Sequence, residues 1–241
     1  MPSFASPSAP DIPPGPIRGI SSMATRQVLA DLVSAYEQRS GVQVQIESVG
    51  GVDAAKRVMA DEPFDLVVLA SDAIDKLLAA GKLVACSQRD LVHSGVAVAV
   101  RAGAARPDIG SEDAVRNAVL AARSLSYSTG PSGVALARLF ERWGIAGQIQ
   151  DRIVQAPPGV PVGTLVARGE VELGFQQLSE LLHVDGIELL GALPAEIQIV
   201  TTFSAGVCAS ATQPGAAREL IAFMASPAAA EAKRRQGMDP A

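Results

Sequence analysis

Residues 17–51 read IRGISSMATRQVLADLVSAYEQRSGVQVQIESVGG. Ile17–Ile20 has the length and apolar character of a short strand, and Ser21 and Ser22 stand where it ends. Val28, Leu29, Leu32, Val33 and Tyr36 then fall on one face of a helix over 24–39, with Ser21 or Ser22 placed to cap it. Val42, Val44 and Ile46 alternate with polar residues, the period of a second strand. Gly50–Gly51 is a turn. Strand, helix and strand in this order make a right-handed crossover unit with parallel strands, so the stretch sets the class as α/β.

Outward from it the alternation continues. A short helix over 53–60 leads to the buried strand FDLVVLA at 64–70, then Ser71 and a helix over 73–80 that stops at Gly81. GVAVAV at 95–100 is a strand, and Ser111 caps a helix to residue 122. Leu125–Tyr127 is a strand whose STGPSG turn at 128–133 feeds a helix over 134–143. Pro161 opens a further helix ending near Gly169. Strands follow at 173–175, 187–190 and 197–203, and helices at 216–224 and 227–236.

Composition narrows the function. Apolar residues make up 48% of the 241 and charged ones only 19%, so the chain is globular. The net charge of −5 and the 4% aromatic content argue against a nucleic-acid partner. The apolar run Gly95–Val100 is far short of the ~20 residues that span a bilayer, so no membrane insertion is expected. Two cysteines, Cys86 and Cys208, and two histidines, His93 and His183, form no cluster with metal-ligand spacing, so no metal is expected. STGPSG lacks the Gly-Lys-Ser/Thr of a Walker loop, no G-x-S-x-G elbow is present, and Cys86 reads as a buried or inert thiol. Met1–Pro16, rich in Pro and Ser, has neither the basic nor the apolar region of a signal peptide. It reads as an extended arm, on a protein that is cytoplasmic or else the mature form of an exported, periplasmic one.

Hydroxyl or glycine residues recur where strands give way to helices: Ser21–Ser22, Gly50–Gly51, Ser71 and Thr129–Ser132. In open α/β sheets ligands bind beyond the carboxyl ends of the strands, where helix N-termini offer N–H donors to an anion. Each residue has an alternative role as a plain helix cap.

Three segments carry a family resemblance: ISSMATRQVLADLVSAYEQRSGVQVQIESVGG, GTLVARGEVELGFQQLSEL, and FMASPAAAEAKRRQGMDP with its Ser-Pro start and Gly-x-x-Pro end. Together they resemble the type 2 periplasmic solute-binding proteins, in the branch of the molybdate-binding proteins. The resemblance implies two α/β lobes, each a mostly parallel sheet flanked by helices, with a ligand cleft between them. It implies lobe 1 at 17–92 plus 207–241 and lobe 2 at 93–206, after the arm at 1–16. Ser22 matches the family's first serine ligand. Val52 stands where a second serine would follow Gly50–Gly51, and Gln177 replaces the cleft tyrosine. Two oxyanion ligands are therefore missing, which favours a larger organic anion over molybdate.

The same segments are similar to a catalytic sub-branch, the aconitate isomerases. That similarity implies a cofactor-independent allylic proton shift on an unsaturated polycarboxylate. The alternative is a non-catalytic binding protein that delivers its anion to the permease of an ABC transporter. The expected ligand-binding set is Ser21, Ser22, Gly51, Ser71, Thr129, Ser132, Gln176 and Gln177. The expected base is Lys56 or His93, with Asp53 a further candidate, and these stay open on sequence.

Overall fold

The computed structural model describes residues 15–157 and 160–241; most of the expected N-terminal arm lies outside them. The opening unit forms as read. Strand β1 (Ile17–Ser22) leads through a 3-10 turn at Met23–Thr25 into helix α1 (Arg26–Ser40), then β2 (Val44–Val49). Helix α2 (Gly51–Met59), β3 (Leu66–Ala70) and α3 (Ser71–Ala79) complete the first half. The second half holds β4 (Arg89–Arg101), α4 (Glu112–Ala121), β5 (Leu125–Tyr127), α5 (Pro131–Arg142), α6 (Ala146–Ile149) and α7 (Val162–Arg168). β6 (Leu173–Gln177), α8 (Leu178–Leu181), β7 (Ile187–Ala192), β8 (Val200–Val207), α9 (Pro214–Ala225), α10 (Ala230–Arg235) and β9 (Asp239–Pro240) follow.

Strand alternation sorts side chains into separate cores. On β3, Leu66, Val68 and Ala70 join Val28, Leu29 and Leu32 of α1. Val67 and Leu69 join Val58 of α2 and Ile74 and Leu77 of α3 on the opposite face. In the second lobe Val96, Val98 and Val100 pack with Leu136, Phe140 and Phe175, while Ala97 and Ala99 meet Leu181. Each fully buried Val, Leu, Ile or Phe side chain is worth about 1.5–3 kcal/mol, so each lobe has its own hydrophobic drive.

The architecture is two-lobed α/β, and its pairing is more mixed than the mostly parallel sheets expected. β1–β2, β1–β3 and β5–β6 are parallel. β3–β8, β4–β6, β4–β7 and β4–β8 are antiparallel. The cause is β4, which at 13 residues is twice the length expected. Its first half pairs with β8 from Arg89 to Gly95, and from Val96 on it pairs with β6 and β7. One strand thus belongs to both sheets, and β8 returns beside it. The apolar pattern reveals only the second half, because Arg89 and Asp90 disguise the first. Asp90 is accommodated by the Ser204 hydroxyl, which donates to its carboxylate at 2.6 Å. β8 also lies further along the chain than the 197–203 expected, since the small residues of Ala205–Val207 carry it on into the core.

Candidate functional site

The carboxyl end of β1 is the natural starting point. Ser22 continues the strand with extended backbone angles, φ −74° and ψ 154°, and the chain then turns sharply at Met23–Thr25. Thr25 secures the turn by donating from its hydroxyl to the Ser22 carbonyl at 3.0 Å. The Ser22 hydroxyl caps nothing. It is buried, in a residue 7% exposed, and has no hydrogen-bond partner among the described residues. A buried hydroxyl without a partner costs roughly 1–3 kcal/mol in proteins; Arg116 Nε and Ser126 Oγ are the other buried side-chain polar atoms without one among the described residues.

Gly51 adjoins it. The parallel register sets Ser22 opposite Val49, and α2 starts two residues later with no side-chain cap. A Cβ on Gly51 would lie 3.6 Å from the Ser22 Cβ, so the first turn of α2 runs directly past the orphan hydroxyl. Ser21 differs from Ser22. Its side chain turns into the sheet and shares a 2.8 Å hydrogen bond with Ser48. Ser71 opens α3 at the end of β3, and the N-cap position there is Ala70, not a serine.

Across the molecule, STGPSG forms the start of α5. Ser132 is buried and its hydroxyl lies 3.1 Å from that of Ser128, while Thr129 is exposed. Gly133 makes this turn possible. A Cβ there would sit 1.6 Å from the Ser128 carbonyl oxygen, which only glycine permits. The capping role is absent at all four junctions: at none of them does the N-cap side chain accept a hydrogen bond from a helix N–H. Among the described helices Ser111 at α4 supplies the one N-cap side-chain bond, to the N–H of Ala114.

The end of β6 holds the second polar group. Gln176 and Gln177 point to opposite faces. Gln176 accepts from the Gly163 N–H at 3.1 Å and donates to the Glu180 carboxylate at 2.9 Å. Burial pushes the half-buried Glu180 carboxyl up to about 7, and the Gln176 bond pulls weakly the other way. Gln177, expected in a solvated cleft, is 3% exposed. Its amide lies 2.9 Å from the Thr201 hydroxyl. Turned so that the oxygen accepts from Thr201, its nitrogen reaches the Ser94 hydroxyl at 2.8 Å and the Gly95 carbonyl at 3.2 Å. Gln177 therefore ties the end of β6 to β8 where β4 passes from one sheet to the other.

One bond joins the two strand ends. The buried Ser179, at the start of α8, donates to the Ala24 carbonyl at 2.9 Å, and α8 packs on the Met23–Thr25 turn. The carboxyl ends of β1 and β6 thus meet, with Ser22 two residues from one side of the contact and Glu180 next to the other.

The expected bases sit elsewhere. Lys56 is 73% exposed on α2, its amine 3.8 Å from Asp53, as for a solvated surface pair. His93 lies in the paired region of β4, its Nδ1 3.0 Å from the Thr202 hydroxyl, with Thr202 and Asp239 opposite it in the register. Cys86, expected to be buried or inert, is exposed at φ 59°, whereas Cys208 is buried and burial pushes its thiol up to about 12. A concavity of about 900 Å³ between α1 and β2, lined by Arg18, Arg26, Glu37 and Glu47, holds none of the expected ligand residues. Glu180 and Ser179 escaped the sequence reading because α8 is only four residues long. The four-residue step from Gln176 to Glu180 in GFQQLSEL was the available signal.

With this geometry established, comparison with known proteins fixes the family. The model for bacterial extracellular solute-binding proteins matches residues 17–239. The chain belongs to that family. An aconitate isomerase of Pseudomonas sp is 38% identical over 227 residues, 92% of this chain and 86% of that protein. Among solved structures, the periplasmic molybdate-binding protein of Azotobacter vinelandii superposes with a TM-score of 0.77 at 19% identity, covering 92% of this chain and 98% of that one. The sulfate-binding protein SubI of Mycobacterium tuberculosis H37Rv gives 0.75 at 18%, covering 94% and 87%. At these identities the solved structures speak for the fold alone.

Proposed function

We propose that this protein binds a small organic polycarboxylate between its lobes and isomerises it, converting trans-aconitate to cis-aconitate by an allylic proton shift. The binding half rests on one observation: the buried, unpartnered Ser22 hydroxyl beside the first turn of α2. It donates to a carboxylate, and the free N–H groups of α2 add donors and a favourable dipole. Ser71, Thr129 and Ser132, at the ends of β3 and β5, are the further donors. The isomerase half is supported by the 38% identical relative named for that reaction. A proton shift needs no redox or group-transfer cofactor, because substrate and product have the same composition and oxidation level.

Residues 17–92 with 207–241 form lobe 1 in this reading, and 93–206 form lobe 2. The family description, extracellular, supports a periplasmic site of action, and no described helix is long and apolar enough to cross a membrane. A second reading, a non-catalytic binding protein serving a transporter, is favoured by that same description. The test is incubation with trans-aconitate, following cis-aconitate by chromatography, beside thermal shifts with molybdate, sulfate and di- and tricarboxylates. Conversion with carboxylate stabilisation is expected. Carboxylate stabilisation without conversion selects the second reading, and stabilisation by molybdate alone overturns both the carboxylate and the isomerase assignments.

A further inference from the structure

Glu180 is the acid that the expected site left out, and its setting differs from that of every surface carboxylate described above. It follows the end of β6 on α8, next to the Ser179 that holds the Ala24 carbonyl. The short helix that carries it packs on the Met23–Thr25 turn that follows Ser22. One carboxylate oxygen accepts from Gln176 Nε2 at 2.9 Å. Gln176 in turn is fixed by the Gly163 N–H, so the amide cannot rotate away without losing both bonds. The second oxygen has no hydrogen bond among the described residues, and it is not sealed from solvent. Among the described residues no cation pairs with it. A carboxylate held at one oxygen and free at the other, half-buried and without a counter-charge, is oriented for proton transfer. Lys56 and His93 lack this combination: one is solvated, and the other is tied into the strand crossover.

We propose that Glu180 is the catalytic base of the isomerisation, with Gln176 as its positioning residue; this rests on the isomerase reading above. The ionised carboxylate takes one proton from the methylene carbon of trans-aconitate. The C–H electron pair becomes the new carbon–carbon π bond. The carboxyl so formed exchanges with solvent, and the former π pair takes a proton from it at the other end of the allyl unit. The new double bond closes in the cis arrangement and Glu180 is again ionised, so no atom or electron is gained or lost. A single base suffices because both carbons flank the same central carbon. A carboxyl that titrates near neutrality can both take and return a proton at working pH.

The test compares the parent with Glu180→Gln on trans-aconitate in deuterated water, reading cis-aconitate and carbon-bound deuterium by NMR and binding by calorimetry. Glu180→Gln keeps the acceptor for Gln176 and is expected to bind within about threefold of the parent. Its turnover should fall by at least about 100-fold, the contribution of a positioned base, and deuterium incorporation should fall with it. Glu180→Asp keeps a carboxyl but withdraws it by one methylene, so it should lose kcat with KM retained. If either variant turns over like the parent, the assignment to Glu180 is overturned while the isomerase reading stands. A parent that binds trans-aconitate yet neither converts nor deuterates it overturns both.

Discussion

Ser22 and Glu180 answer the same question, what an unsatisfied group costs, in opposite ways. The Ser22 hydroxyl has no partner to lose in the free protein. Ser22→Ala should therefore leave the thermal midpoint unchanged or slightly raised. It should weaken carboxylate binding by roughly 10–150-fold, the worth of a hydrogen bond to a charged acceptor, about 1.5–3 kcal/mol. Calorimetry and a melting curve on the same sample check both halves. Glu180 carries its cost as charge. Its carboxyl is raised from 4.5 to about 7, so between those values the native state binds more protons than the unfolded chain. Stability then falls as pH rises through this window, by on the order of 1–3 kcal/mol, and the full cost is present above about pH 7. Glu180→Gln removes that dependence. Urea midpoints for parent and variant should coincide near pH 4 and separate in the variant's favour by pH 8.

At the scale of elements, legibility followed periodicity. β1, α1, β2 and β3 were readable because buried positions repeat at the spacing of their own secondary structure, from Val28 to Tyr36 and across Leu66–Ala70. The cap of α4 was readable because Ser111 acts locally. The beginning of β4 was hidden because the hydroxyl that accommodates Asp90 belongs to Ser204, 114 residues away. Glu180 was hidden because its helix is too short to show a period, and the burial of Gln177 was hidden because its partners come from β4 and β8. The serine and glycine positions were found, but their separate roles were not. Only the folded register turns Ser21 toward Ser48 and leaves Ser22 free. The revised place of Gln177 changes what its loss should do. A ligand donor would lose affinity on Gln177→Ala. A buried amide that serves Ser94, Gly95 and Thr201 should instead lose stability, by about 1–3 kcal/mol for the partners stranded. For a chain of this size that lowers the midpoint by about 2–4 °C per kcal/mol, which differential scanning calorimetry resolves.

At the scale of the whole molecule, two cores are joined by β4 and β8 and meet again at the Ser179–Ala24 bond. If closure brings the lobes onto the ligand, that bond belongs to the closed arrangement and helps to set its population. A neutral hydrogen bond contributes about 0.5–1.5 kcal/mol net. Ser179→Ala should therefore shift the free protein toward the open form and weaken binding by roughly 2–12-fold. The loss should be the same for every ligand bound between the lobes, because the apparent affinity falls with the fraction of closed protein whatever the ligand contacts. Ser22→Ala, by contrast, should penalise ligands according to the carboxylate it meets. Calorimetry with trans-aconitate and two shorter dicarboxylates separates the two patterns, and small-angle scattering of the free Ser179→Ala protein should give a larger radius of gyration than the parent. An unchanged radius with unchanged affinities would mean that the Ser179 bond persists in both forms and holds the fold without governing closure.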